Sequence, residues 1–125
     1  MTVRDTSTRR VLIVDDAEEL REVLTLFMER AEGLEVVGEA VDGLDGVEKA
    51  RDLQPDVVIL DIAMPRMDGL QALPLIREAS PGARVVILSG FGDSTMAEDA
   101  MRAGADHYVQ KGGRLSELVT LVEAL

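Results

Sequence analysis

Asp15 and Asp16 follow directly on the apolar run Val11 to Val14, Asp61 follows Val57 to Leu60, and Ser89 follows Val85 to Leu88. Lys111 stands just after a weaker run, Asp106 to Val109. Each residue alone has an ordinary role: Asp16 as a helix cap, Asp61 as a loop starter, Ser89 in a turn, Lys111 as a solvated cation. Together they point to chemistry. At an effective dielectric near 20, two like charges about 4 Å apart repel by roughly 4 kcal/mol, so gathered carboxylates are a poor structural choice unless a cation neutralises them. Oxygen-only donors, with one or two direct carboxylates and several retained waters, suit Mg²⁺ awaiting a phosphate oxygen. A lysine can pair with a carboxylate at rest and with phosphate afterwards, and a serine hydroxyl can donate to a phosphoryl oxygen. Phosphoryl transfer asks little more of a protein than positioning and charge neutralisation.

These residues act together only if the fold brings them to one edge. The three apolar runs are short, rich in β-branched residues and continuous, the pattern of strands buried on both faces. Glu35 to Ala40 and Asp106 to Val109 mix in polar residues and suit the two edges of a sheet. Between the strands, Leu20, Val23, Leu24, Phe27 and Met28 recur at helical spacing, with Asp16 and Glu19 placed as a capping signal. Leu44, Val47, Ala50 and Leu53 mark a second helix, introduced by Asp42-Gly43 and stopped ahead of Pro55. A third spans about Leu70 to Ala79, where Pro74 predicts a kink or a late start. A fourth, about Ser94 to Ala103, ends at Gly104 as a C-terminal cap, and Leu115, Leu118, Val119, Val122 and Leu125 form the face of a fifth. Strands alternating with helices imply right-handed crossovers and a parallel sheet covered on both sides. The fold expected is α/β, a (βα)5 doubly wound three-layer sandwich with five parallel strands in the order 2-1-3-4-5. Its ligand crevice then lies outside the carboxyl ends of strands 1 and 3.

The totals narrow the function. A chain of 125 residues, 46% hydrophobic, suits one domain with one core. Without cysteine there is no disulfide, thiolate site or cysteine nucleophile. Acidic residues number 24 against 13 basic ones, and the formal charge of −11 opposes nucleic-acid binding by this domain. The run Val11 to Val14 is too short for a signal core or membrane span, so a cytoplasmic location is expected. Residues 1–9 read as a disordered extension and 10–125 as the domain. The chain stops at Leu125 inside an apolar helical pattern, which suggests an excised part of a longer protein.

Four segments carry a resemblance: Val11-Leu-Ile-Val-Asp-Asp16, Val57-Val-Ile-Leu-Asp-Ile-Ala-Met-Pro-Arg-Met-Asp-Gly69, Val85-Val-Ile-Leu-Ser-Gly90 and Gly104-Ala-Asp-His-Tyr-Val-Gln-Lys111. In order and spacing they resemble the receiver domains of bacterial two-component response regulators over about residues 10–125. The resemblance implies that Asp61 is the phosphoacceptor, taking phosphate from a histidine kinase's phosphohistidine. It implies Asp16, Asp61 and the backbone carbonyl of Ala63 as direct Mg²⁺ ligands, with Asp15 acting through a water. Ser89 corresponds to the switch hydroxyl, Tyr108 to the aromatic switch and Lys111 to the phosphate-binding cation. The implied output surface is helix 4, strand 5 and helix 5, facing an output domain, such as a transcription-regulating DNA-binding one, or a partner protein. A phosphorylation-dependent homodimer is left open. The class is a phosphoacceptor switch in a phosphorelay, not an enzyme in the ordinary sense. The alanines of helix 4, with Met96 and Met101, predict weak docking of that helix.

Two positions depart from the family. Gly112 stands where a proline, often behind a cis peptide, is usual; a cis bond before glycine costs roughly 2.5 to 4 kcal/mol, so a trans peptide is expected there. Ala63 stands where a polar side chain is common. Two other readings compete. A phosphorylation-independent pseudo-receiver would serve only as an interaction module, against which stands the presence of all five site residues. A Mg²⁺-dependent phosphatase with an aspartyl nucleophile, of the haloacid-dehalogenase type, would need an Asp-x-Asp pair after strand 1, whereas Asp15 and Asp16 are adjacent.

Overall fold

All twelve side chains of Val11–Val14, Val57–Leu60 and Val85–Leu88 are at most 5% exposed. Burial on both faces is what their unbroken apolar sequence demands. The computed structural model describes residues 8–90 and 94–125. Within them run β1 (Arg9–Val14), α1 (Glu18–Arg30), β2 (Leu34–Ala40), α2 (Gly43–Leu53), β3 (Val57–Leu60), α3 (Gly69–Ala79), β4 (Arg84–Ser89), α4 (Ser94–Arg102), β5 (His107–Gln110) and α5 (Leu115–Glu123). The strands form one parallel sheet in the order β2-β1-β3-β4-β5, as expected. The polar-interrupted strands β2 and β5 are its edges, and β2 carries a register shift opposite Val11 and Leu12.

Alternation along the strands sorts the core into two layers. Leu12, Val14, Val58, Leu60, Val85 and Ile87 face α2, α3 and α4 through Val47, Ala50, Leu73, Ile76 and Ala100. Val11, Ile13, Val57, Ile59, Val86 and Leu88 face α1 and α5 through Leu24, Met28, Leu118 and Val122. Among the described residues no helix is long and apolar enough to cross a membrane.

Helix ends follow local chemistry, with two corrections. The cap of α1 is Ala17, which has no capping side chain, rather than Asp16. The Ala17 N–H instead donates to Asp15 Oδ1 at 2.8 Å, and Asp16 is left exposed beside the other acids. Of the kink or late start expected from Pro74, the late start does not occur. Asp68 and Gln71 form a reciprocal capping box that starts α3 at Gly69; it secures the first turn, and Pro74 removes one interior donor further on. Gly104 ends α4 as expected, with φ of 113°. Its N–H donates to the Met101 carbonyl and that of Ala105 to Ala100, the paired bonds of a Schellman motif. The extension expected over residues 1–9 lies outside the described residues as far as residue 7, and β1 begins at Arg9.

Candidate functional site

Parallel pairing fixes which residues share an edge. Val14 lies opposite Leu60 and Leu60 opposite Ile87, so the chain leaves β1, β3 and β4 on the same side of the sheet. The Asp15 N–H donates to the Ala40 carbonyl at 3.0 Å and the Asp61 N–H to the Val14 carbonyl at 2.9 Å. The ladder thus extends one step past the strands and holds both acids by their backbones. Arg21 anchors α1 against this edge, donating from Nη1 to the Asp15 carbonyl at 2.7 Å and from Nε to Glu39 at 3.1 Å.

Asp15, Asp16 and Asp61 each offer a carboxylate oxygen to one cluster, the three atoms lying within 4.8 Å of one another. Asp15 and Asp61 are buried and Asp16 is exposed. Across the crevice, Lys111 Nζ lies 3.0 Å from Asp15 Oδ2 and 3.2 Å from Asp61 Oδ1. Its backbone N–H donates to the Ser89 carbonyl at 2.6 Å. The Lys111-Gly112 peptide is trans, and Gly112 takes φ of 96°, a turn that a residue with a Cβ resists. Glycine therefore lets the loop bring Lys111 to the acids without the family's proline.

The electrostatics are lopsided. Burial raises the pKa of Asp61 above the usual carboxylate value and the charge of Asp15 raises it further; Lys111 and the Ile62 N–H pull it back without cancelling the rise. For Lys111, burial acts to lower the pKa, but the bond to Asp15 and the charges of Asp61 and Asp15 outweigh it and raise it. An acid and a base that both favour their protons report the same thing: one lysine does not balance these carboxylates. The donor set fits a hard divalent cation. Bonds of 2.0–2.1 Å place two oxygens of one octahedral ion at most roughly 4.2 Å apart, close to the spread here, with room for water under one carboxylate. The Ala63 carbonyl takes no hydrogen bond from the protein among the described residues.

Ser89 is fully buried at the end of β4, and Tyr108 on β5 packs half-buried against the α4 side of the core. Beside Lys111 opens a cleft of about 420 Å³, lined by Leu20, Leu88, Val109, Gly113 and Leu115 among others. Its walls come from α1, from β4 and β5 and from the segment after β5, elements far apart in the chain, so no local pattern announces it. Also missed was an ion pair between Arg66 and Asp42, 24 residues apart, for which neither residue carries a local signature.

A doubly wound sheet with an acidic, lysine-bridged crevice at its switch point defines a class of domain suited to phosphoryl chemistry. The family model for the response regulator receiver domain matches residues 11–123, and the chain belongs to that family. It is 40% identical over 111 residues to the chemotaxis protein CheY of Thermotoga maritima, covering 89% of this chain and 92% of that one. It is 48% identical over 103 residues to protein-glutamate methylesterase/protein-glutamine glutaminase 5 of Myxococcus xanthus, covering 82% of this chain but 30% of that protein. The structure of the CheX-CheY-BeF3-Mg+2 complex from Borrelia burgdorferi superposes with a TM-score of 0.86 at 32% identity, covering 93% of this chain and 87% of that one. Membership implies phosphorylation-based signalling, and the acidic cluster sits where the fold places its ligand crevice.

Proposed function

We propose that this domain accepts a phosphoryl group on Asp61 from a histidine kinase's phosphohistidine, with Mg²⁺ bound by Asp16, Asp61 and the Ala63 carbonyl and, through water, by Asp15. The observation that carries the reading is the Lys111 ammonium set between Asp15 and Asp61 at 3.0 and 3.2 Å. In the transfer, the P–N bond of the donor breaks as a bond forms from phosphorus to a carboxylate oxygen of Asp61. The departing imidazole nitrogen keeps the electron pair and takes a proton. Mg²⁺ supplies charge neutralisation for the phosphoryl oxygens. Lys111 holds the carboxylates apart from bulk water at rest and moves its charge to the phosphoryl group afterwards. The cleft beside Lys111 offers an apolar footing for the donor protein.

Ser89 supplies the hydroxyl that turns to the phosphoryl group, and Tyr108 follows it on β5. The output is a shift of the α4, β5 and α5 surface, read by an output domain or partner protein in the cytoplasm; no nucleic acid is contacted by this domain. The test is incubation with Mg²⁺ and acetyl phosphate followed by intact mass. One added phosphate that is lost in Asp61→Asn is expected. No addition, or addition that survives Asp61→Asn, rejects the reading in favour of an interaction module.

A further inference from the structure

Between Asp61 and Gly69 one residue adopts a backbone that its type disfavours. Arg66 has φ of 64°, a left-handed conformation that a residue with a Cβ resists. Its guanidinium turns to Asp42, the cap of α2: Nε donates to Asp42 Oδ2 at 2.7 Å and Nη2 donates to the same oxygen. The arginine is 63% exposed and the Asp42 side chain 3% exposed, so the carboxylate end of the pair is fixed in the fold. Asp42 is held from the other side as well, Oδ1 accepting the Asp45 N–H at 2.9 Å. That bond first, and Arg66 after it, lower the Asp42 pKa against the opposing effect of burial.

A second tie runs parallel to the first. The Gly43 N–H donates to the Met67 carbonyl at 3.0 Å, and a Cβ at position 43 would stand 2.5 Å from that oxygen. The segment after Asp61 is thus gripped at Arg66 and Met67 by the start of α2, and closed on itself by Gly69 N–H to the Ile62 carbonyl at 2.8 Å. The stretch left between those grips contains Ala63, whose carbonyl the protein itself does not occupy among the described residues. If position 66 served the turn alone, glycine would supply the same φ without strain. An arginine held there by a buried carboxylate needs another reason.

We propose that Arg66 and Asp42 form a latch that holds the Ala63 segment in the position where its carbonyl meets the divalent cation, making both positioning residues for the chemistry at Asp61. The inference rests on the Mg²⁺ reading above. Residues that orient metal ligands from outside the coordination sphere commonly change metal affinity by about tenfold or more.

The test follows the rise of melting temperature with Mg²⁺ concentration in the parent chain, Arg66→Ala, Arg66→Gly, Asp42→Asn and the double variant Asp42→Asn/Arg66→Ala. Asparagine keeps an acceptor for the Asp45 N–H and still caps a helix. Arg66→Ala and Arg66→Gly are both expected to raise the half-effective Mg²⁺ concentration by about tenfold. Arg66→Gly should do so while melting, without metal, no lower than Arg66→Ala, because glycine relaxes the turn. The double variant should respond like Arg66→Ala, since the two residues act as one unit. Phosphorylation by acetyl phosphate should recover the parent rate at saturating Mg²⁺, leaving the defect at low Mg²⁺. A half-effective concentration within about twofold of the parent in Arg66→Ala, or recovery of the Mg²⁺ response in Arg66→Gly, overturns the latch alone. A parent chain with no Mg²⁺ response overturns the metal reading and the latch with it.

Discussion

On one face of the sheet, α2 and α3 are held very differently from their neighbour α4. The first two are tied at both ends. Asp42 and Gly43 join the β3–α3 segment through Arg66 and Met67, and Gln54 Nε2 donates to the Ala79 carbonyl at 2.8 Å where both helices finish. Beneath them α3 buries Leu73 and Ile76 completely, each worth about 1.5–3 kcal/mol in apolar burial. Among the described residues α4 buries one side chain, Ala100, a methyl worth about 0.8 kcal/mol. Its ion pairs, Arg102 with Glu98 and Asp99, are exposed and span 3.6 and 3.7 Å, so they add little. At the C-terminal end of α4 stand the Gly104 cap and Asp106, which accepts the Val85 N–H at 2.7 Å and faces Arg77 at 3.3 Å. The flank bearing the phosphoacceptor loop is the more rigidly held, and among the described residues the flank proposed to carry the output buries far less apolar surface. A switch needs that division, because a signal moves a surface only where docking is weak.

The contrast can be broken first at its stiffest point. A Cβ at Gly69 would stand 2.0 Å from the Asp61 carbonyl oxygen. Gly69→Ala should cost about 4 kcal/mol or more in a denaturant melt; a loss under about 1 kcal/mol would mean that the rigid flank yields. Next, Ile76→Ala under α3 should cost about 2–5 kcal/mol, whereas Met96→Ala on α4 should cost under about 1 kcal/mol. Equal costs would erase the distinction between the flanks.

A smaller effect sits at the acid cluster. The raised pKa of Asp61 means that the folded state holds its proton more tightly than the unfolded chain. The associated stability is fully present below the ordinary carboxylate value of 3.8 and lost as pH rises through the raised folded value. Without metal, Asp61→Asn should therefore raise the melting temperature near pH 7 by a few degrees. The gain should vanish below the unfolded carboxylate value and shrink when Mg²⁺ protects the parent. A lower melting temperature in Asp61→Asn at neutral pH would mean that the Asp61 charge stabilises the fold. The subtlest readout is hydrogen exchange: α4 amides should exchange at a lower opening free energy than those of α3, and equal protection would put the division in doubt.

Most of this arrangement was legible because it obeys short-range rules. Continuous β-branched runs announced the three inner strands, polar interruptions marked the edges, and the order of elements left few topologies. Asp15, Asp16, Asp61 and Lys111 were legible from strand-end position, and the structure gathers them at one edge. The misreadings arose where two local rules competed. Asp16 has the chemistry of a cap, yet Ala17 takes that place because Asp15 turns back to its N–H. Pro74 argued for a kink or a late start, and the Asp68–Gln71 capping box ahead of it decided against the late start. The Arg66–Asp42 pair was invisible because an arginine gives no sequence hint of a left-handed backbone, and its partner is chosen by tertiary contact between two loops.

The glycines at the rigid flank also bear on how such a sequence can drift. A side chain at Gly46 would meet Val14 Cγ1 at 2.9 Å, and a second change, Val14→Ala, could make room. At Gly69 and Gly43 the obstacles begin with backbone oxygens, those of Asp61 and Met67, which no substitution elsewhere can shorten. The first kind of constraint is negotiable between two positions, so lineages can cross it in paired steps. The second is a fixed point of the sequence, and descendants that keep the site's geometry must vary around it.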